Sequence, residues 1–176
     1  GKHAGFLCVC AAQGWPFQDY RLLEHPLQQA LLQEMAAAAD VASEEIPTGV
    51  DGCGVVTFGL SLENMAASFG RLARSELEGS ERVTAAMKAH PALVEGPGSA
   101  ATEIMQAVPG SVAKGGAEGV LCIGLEDGSA LALKAEDGSS RGLLPAAGAL
   151  LDLVDLRVGT IRSSRGEAVG EILVES

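Results

Sequence analysis

The sequence predicts an α+β domain in which helices pack on a central antiparallel sheet, and three observations support this fold class. Apolar residues recur at helical spacing in several segments that proline or glycine bounds. Two apolar runs flank an Asp-Gly pair, which is typical of a β-hairpin. The 176 residues, 47% hydrophobic and 20% charged, suffice for a sizeable core, so we expect one domain over residues 1–176.

The first third of the chain is predicted to be mainly helical. An apolar segment over residues 4–13 stops at a Gly-Trp-Pro turn. A second helix begins at His25-Pro26, where proline suits the first turn, and it ends before Asp40. Ser61 can cap a third helix, whose apolar positions repeat over residues 62–73.

The remaining elements follow from turn residues and apolar runs. Residues 46–60 are rich in glycine and β-branched residues, which indicates a loop beside a short extended segment. A hairpin is predicted where residues 120–123 and 130–133 flank Asp127-Gly128, and its first arm lacks alternation, as in a strand buried on both faces. Further elements are expected as helices over residues 80–90, 102–108 and 143–156 and a strand over 168–174.

Charge and hydropathy exclude two classes of partner. The formal net charge is −11, from 12 Lys+Arg against 23 Asp+Glu, and no basic patch offsets it, so we expect no nucleic acid partner. No apolar run reaches the roughly 18–20 residues that a membrane span needs. The four cysteines (Cys8, Cys10, Cys53 and Cys122) lack C-x-x-C spacing, which favours buried free thiols in a cytoplasmic protein.

Three polar segments are candidates for chemistry. Lys114 is followed by Gly115 and Gly116, and a lysine at a sheet edge beside glycines can polarise a serine or bind a carboxylate. Lys2 and His3 precede a helix, where anions are favoured. The residues alone equally allow a solvated surface lysine and a disordered terminus.

The third candidate segment contains Asp51 and Cys53 between glycines. A tight turn with a buried thiol explains it equally well. His25 and His90 each precede a proline at a helix boundary, which favours structural roles. No H-E-x-x-H or paired C-x-x-C spacing is present, so no metal is predicted from the residues.

Taken in order, these segments resemble the serine-dependent, Rhizobium-type L-asparaginase family, often labelled asparaginase II. Gly1-Lys2-His3-Ala4 resembles the family's S-G-K-H-A motif without its serine. The likeness covers essentially the whole chain, and the other matching segments are Gly14-Trp15-Pro16, His25-Pro26-Leu27-Gln28, Val50-Asp51-Gly52-Cys53-Gly54, His90-Pro91, Val108-Pro109-Gly110, Val112-Ala113-Lys114, Gly116-Ala117-Glu118-Gly119-Val120, Ala132-Leu133-Lys134 and Asp137-Gly138.

The resemblance implies hydrolysis of L-asparagine to aspartate and ammonia on a serine β-lactamase-like or glutaminase-like fold. It also implies acyl transfer by serine–lysine pairs, without a cofactor. One family serine directly precedes Gly1, and an S-x-x-K pair lies further upstream, so we expect an N-terminal segment to be missing. Such a chain would expose a strand edge and tend to aggregate or form a homodimer.

The same resemblance assigns roles to the candidate residues. Lys114 would be the partner of the serine before Gly1, with Lys2 and His3 lining the same site. Asp51 and Cys53 would border the substrate from the neighbouring loop, and Gly115 and Gly116 would let it approach the backbone.

Two departures from the family pattern affect these expectations. Some members bind zinc through C-x-x-K and a later cysteine, but Val56 replaces that lysine and no cysteine lies near Ala101, so no zinc site is predicted. Many members carry G-R-D where this chain has Gly98, Ser99 and Ala100. This loss, with the absent serines, motivates one alternative, a catalytically weakened paralogue that binds an amino acid or a protein partner. A second alternative is an enzyme for another amide or peptide substrate, as penicillin-recognising relatives of the fold illustrate.

Overall fold

The computed structural model describes residues 1–175 and shows a mixed fold of helices and small antiparallel sheets. The chain divides into two compact units, Gly1–Asn64 and the residues from Met65 onward. The α+β class predicted from the sequence is therefore confirmed. Among residues 1–175, no helix is both long enough and apolar enough to cross a bilayer.

The first unit contains two helices and one small hairpin. Its elements are α1 (Lys2–Gln13), α2 (Pro26–Ala39), β1 (Thr48–Val50) and β2 (Val56–Phe58). The sequence predicted one extended segment after residue 46, whereas the structure has two strands that pair antiparallel, with Gly49 opposite Thr57.

Capping interactions set the ends of both helices. Gly14 adopts a left-handed conformation (φ 68°) after α1, and its N–H donates to helix carbonyl oxygens. At the start of α2, His25 Nδ1 accepts a hydrogen bond from Leu27 N at 3.1 Å, and Pro26 occupies the first turn. Asp40 ends α2 in a left-handed conformation, as expected for a residue just past a helix. The predicted ends of α1 and α2 and the predicted start of α2 are confirmed. Helix α1 begins at Lys2, so Lys2 and His3 lie in its first turn and do not precede it as predicted.

Helix α3 (Leu62–Ala73) begins in the first unit and continues into the second. Its predicted cap is present, because Ser61 Oγ accepts a hydrogen bond from Asn64 N at 3.1 Å. The other elements of the second unit are α4 (Ser80–Ala89), α5 (Pro91–Glu95), α6 (Ala100–Ala107), β3 (Val112–Gly116), β4 (Val120–Gly124), β5 (Ala130–Lys134), α7 (Leu143–Leu150), β6 (Val158–Arg162) and β7 (Ala168–Leu173).

A three-stranded antiparallel sheet forms the centre of the second unit, in the order β3-β4-β5. Leu121 and Ile123 of the central strand are fully buried, which agrees with the continuous apolar run of the predicted hairpin. They pack with Ile104 of α6 and Ala147 of α7 in one core cluster. Strand β3 lies at one edge of this sheet, with β4 as its only neighbour in the three-stranded sheet.

A close approach places α3 against the central strand. A Cβ at Gly124 would collide with the backbone oxygen of Phe69 and lie 3.0 Å from Ala73 Cβ. Glycine at position 124 therefore allows the helix backbone to contact the sheet.

Several elements differ from the sequence expectation. The predicted helix 143–156 ends at Leu150, because Asp152 adopts a left-handed conformation (φ 59°) that an α-helix does not continue through. The predicted last strand is present as β7, but it pairs with β6 in a separate two-stranded sheet. Helix α5 was not predicted, since it has only five residues, from Pro91 to Glu95.

The cysteines partly contradict the expectation of buried thiols. All four are free, but only Cys10 and Cys122 are buried, whereas Cys8 and Cys53 are exposed. Cys8 lies on α1, whose single buried residue is Cys10, and Cys53 lies in the turn between β1 and β2. Apolar composition around a cysteine did not reveal which face of its element would be covered.

Candidate active site

The residues predicted to carry chemistry fall into two groups, one in each unit. Lys2, His3, Asp51 and Cys53 belong to the first unit. Lys114, Gly115 and Gly116 belong to the second unit, at the end of β3. Each group is described here within its own unit.

In the first unit, Lys2 and Asp51 form an ion pair. Lys2 is the first residue of α1, and its ammonium donates a hydrogen bond to Asp51 Oδ2. The other carboxylate oxygen, Oδ1, accepts hydrogen bonds from the backbone N–H of Cys53 at 2.8 Å and of Val55 at 3.1 Å. Asp51 thus organises the β1–β2 turn and orients the lysine at the same time.

The charges of this pair stabilise each other. The hydrogen bond from Lys2, with further bonds from the Val55 and Cys53 N–H groups, lowers the pKa of Asp51 from 3.8 to about 2. The hydrogen bond to Asp51 in turn raises the pKa of Lys2 above its usual value of 10.5. A carboxylate that remains ionised at neutral pH in this way is suited to holding a cation rather than to accepting a proton.

His3 lies beside Lys2 in the first turn of α1 and has an aromatic partner. A hydrogen bond of 2.7 Å joins His3 Nδ1 and the Tyr20 hydroxyl. The two rings meet edge to face at 5.9 Å, and Phe6 packs edge to face against both. The sequence analysis did not single out Tyr20. It is the single tyrosine of the chain, and this could have marked it as a candidate.

Cys53 occupies an exposed position in the turn beside this pair. Its backbone N–H, not its thiol, makes the contact with Asp51. The turn therefore presents a thiol next to a fixed carboxylate, while the position of the backbone is set by Asp51.

In the second unit, Lys114 lies on the edge strand β3, opposite Cys122 of β4. Its ammonium group donates to the backbone oxygen of Gly115 at 2.6 Å and lies 3.4 Å from Glu95 Oε1. Its side chain is 46% exposed, so the nitrogen remains accessible from solvent.

Glu95, the last residue of α5, is a second residue that sequence reasoning missed. Its Oε2 accepts a hydrogen bond from the Gly115 backbone N–H at 3.2 Å. An acidic residue after an apolar Leu-Val pair and before a glycine is too common a pattern to have indicated this contact.

A cavity of about 390 Å³ adjoins this group and is lined by Glu95, Gly115 and Gly116, together with Arg141 and Thr160. Its volume lies within the range of small-molecule sites. Ser99 and Ala100, the two positions at which the sequence departs from the G-R-D pattern, also line the cavity.

Ser99 has a structural role at this cavity, since it caps α6. Its Oγ accepts a hydrogen bond from Thr102 N at 3.3 Å and donates to Thr102 Oγ1 at 3.0 Å. Within residues 1–175, no group of three or more His, Cys, Asp or Glu side chains is arranged to hold a metal ion.

Comparison with known families assigns the chain. A family model described as L-asparaginase II matches residues 1–172 of the 176-residue chain. The chain therefore belongs to the asparaginase II family, as its motifs predicted. Membership in this family indicates an amidohydrolase that acts on asparagine. The chain matches no curated protein.

Proposed function

We propose that this protein is an L-asparaginase that converts L-asparagine to L-aspartate and ammonia by serine/lysine acyl transfer on a serine β-lactamase-like or glutaminase-like scaffold. The observation that carries the proposal is the position of Lys114 on the edge strand of the central sheet, beside glycines that line a cavity of about 390 Å³. The family match over residues 1–172 supports the choice of asparagine as substrate.

The nucleophile in this proposal is the serine that the family motif carries directly before Gly-Lys-His. Its oxygen attacks the carbon of the side-chain amide, and Lys114 acts as the general base that accepts the hydroxyl proton. The lysine then gives that proton to the amide nitrogen, which leaves as ammonia. Water hydrolyses the resulting ester, so that aspartate is released and the serine is regenerated.

The glycines beside Lys114 serve substrate approach in this mechanism. Gly115 and Gly116 border the cavity with backbone alone, so a flat amide can come close to the strand.

We assign supporting roles to the residues of the first unit. Lys2, held by Asp51, presents a fixed positive charge at the first turn of α1, which suits a substrate carboxylate. His3 is held by the Tyr20 hydroxyl, which orients its ring in the first turn of α1. Cys53 and Asp51 border the substrate from the β1–β2 turn.

The first experiment measures ammonia release from L-asparagine by the full-length protein. A Lys114→Ala variant should lose about 10²–10⁴-fold in kcat, the usual contribution of a general base. Lys134→Ala is the matched control, because Lys134 lies on the opposite edge strand of the same sheet.

The control variant should retain the wild-type rate. Absence of ammonia release from a well-folded full-length protein would contradict the proposal and favour a paralogue that only binds an amino acid. Equal rates of ammonia release by Lys114→Ala and wild type would show that Lys114 is not the general base.

A further inference from the structure

The Glu95 carboxylate contacts two groups at the edge of the central sheet. One oxygen lies 3.4 Å from Lys114 Nζ, and the other accepts the Gly115 backbone N–H at 3.2 Å. Lys114 Nζ also donates to the Gly115 carbonyl oxygen at 2.6 Å. The ammonium group is therefore held between the carboxylate of Glu95 and the backbone of its own strand.

Gly115 makes this approach possible. A Cβ at position 115 would lie 2.8 Å from Glu95 Oε2 and 2.9 Å from its Cδ, and closer still to Oε1. The three heavy atoms nearest to that Cβ all belong to Glu95, and the φ of Gly115 lies outside the left-handed range. The backbone at position 115 would thus accept alanine, and the obstacle to a side chain is Glu95.

The contact contributes more to orientation than to folding. Lys114 is 46% exposed and Glu95 is 29% exposed, and ion pairs at this exposure stabilise a fold only weakly. A lysine side chain without such a partner samples many rotamers, and ordering it before the substrate binds lowers the entropy lost in the reaction.

We propose that Glu95 is a positioning residue for Lys114, which it holds at the end of β3 beside the cavity that Glu95 and Gly115 line. The inference rests on the proposed function, in which Lys114 transfers the proton. It adds a residue that acts through the lysine and does not itself contact the reacting atoms.

The test is steady-state kinetics on the full-length protein with Glu95→Gln, Glu95→Ala, Gly115→Ala and the double variant Glu95→Ala/Gly115→Ala. Glutamine at position 95 retains an acceptor for the Gly115 N–H but loses the charge that faces Lys114. We expect it to lower kcat about tenfold with KM nearly unchanged, as for an interaction that matters in the transition state.

The double variant separates an effect of Gly115→Ala that acts through Glu95 from an effect that the new methyl group has on its own. Gly115→Ala alone should lower kcat because the new methyl group displaces Glu95. In the Glu95→Ala background the same substitution should lower kcat by a smaller factor than it does alone, since the part of its effect that comes from displacing Glu95 is gone. Matched controls are Glu136→Gln, an exposed turn glutamate, and Gly142→Ala, whose Cβ would meet nothing within 4 Å.

A second measurement is independent of activity. In NMR spectra, Glu95→Ala should shift the Gly115 amide and the Lys114 side-chain resonances, whereas Glu136→Gln should not. Wild-type kinetics for both Glu95 variants, together with loss of activity in Lys114→Ala, would overturn the positioning role and leave the proposed function standing.

Failure of the wild-type protein to release ammonia would instead overturn the proposed function, and with it a positioning role in catalysis. The NMR comparison then tests separately whether Glu95 contacts Lys114 and the Gly115 N–H in solution. Unshifted Gly115 and Lys114 resonances in Glu95→Ala would overturn the contact in either case.

Discussion

The Lys2 ammonium donates a hydrogen bond to the Asp51 carboxylate, so the first turn of α1 is joined to the turn between β1 and β2. The same carboxylate accepts two backbone N–H groups within its own turn. One aspartate therefore fixes both a loop conformation and a lysine. This arrangement explains why its pKa falls to about 2.

The first prediction concerns the pH dependence of stability. Because folding lowers the pKa of Asp51 from 3.8 to about 2, the stabilisation is fully present above about pH 4 and is lost as the pH falls through 2. Chemical unfolding at several pH values should show Asp51→Asn to be less stable than wild type at pH 7, with a difference that shrinks toward pH 2.

Asp155→Asn, at an exposed position, is the control and should show no such trend. In NMR titrations of the folded protein, Lys2→Ala should raise the pKa of Asp51 but leave it below 3.8, because the N–H groups of Cys53 and Val55 remain. An Asp51 that titrates at its ordinary value in the wild type would contradict the ion pair.

The second prediction concerns Tyr20. Tyr20→Phe removes the hydroxyl that contacts His3 but keeps the ring that packs against Phe6. We expect kcat for asparagine to fall about two- to tenfold, which corresponds to one hydrogen bond of about 0.5–1.5 kcal/mol, with little change in the unfolding temperature. Phe17→Leu, at an exposed aromatic, is the matched control.

Unchanged kinetics in Tyr20→Phe would show that the orientation of His3 does not matter for turnover. A large loss of unfolding temperature would instead assign the hydroxyl to the stability of the first unit.

The third prediction concerns thiol reactivity. Cys8 and Cys53 are exposed and should be alkylated rapidly in the native protein. Cys10 and Cys122 should react only after unfolding, because they are 0% and 5% exposed and burial raises the pKa of Cys122. Mass spectrometry after a timed iodoacetamide pulse, with and without denaturant, measures this directly. Native labelling of Cys122 at the rate of Cys53 would contradict the burial.

Local sequence signals predicted much of the fold. The β4–β5 hairpin follows from a tight-turn Asp-Gly pair between apolar runs, and both signals act within a few residues. The ends of α1 and α2 follow from Gly14 and from the His25-Pro26 pair, since caps also act locally.

The candidate site was only partly predictable. Its lysines, its aspartate and its glycines stood in recognisable motifs, but Tyr20 and Glu95 reach His3 and Lys114 across 17 and 19 residues of chain. Contacts of that range depend on packing, which no local pattern encodes. Strand β3 was missed as an element because two of its five residues are glycines, which are poor strand formers.

The fourth prediction concerns the cap of α6 at the edge of the cavity. Ser99→Ala removes the acceptor of the Thr102 N–H and should lower the free energy of unfolding by about 1 kcal/mol. Ser99→Asp restores an acceptor and places a negative charge at the helix N-terminus, so it should recover most of the loss. Urea unfolding of the three proteins at pH 7 measures the difference. If Ser99→Ala is as stable as wild type, the hydroxyl does not cap α6. Ser99, which differs from the family pattern, would then have no structural role at this position.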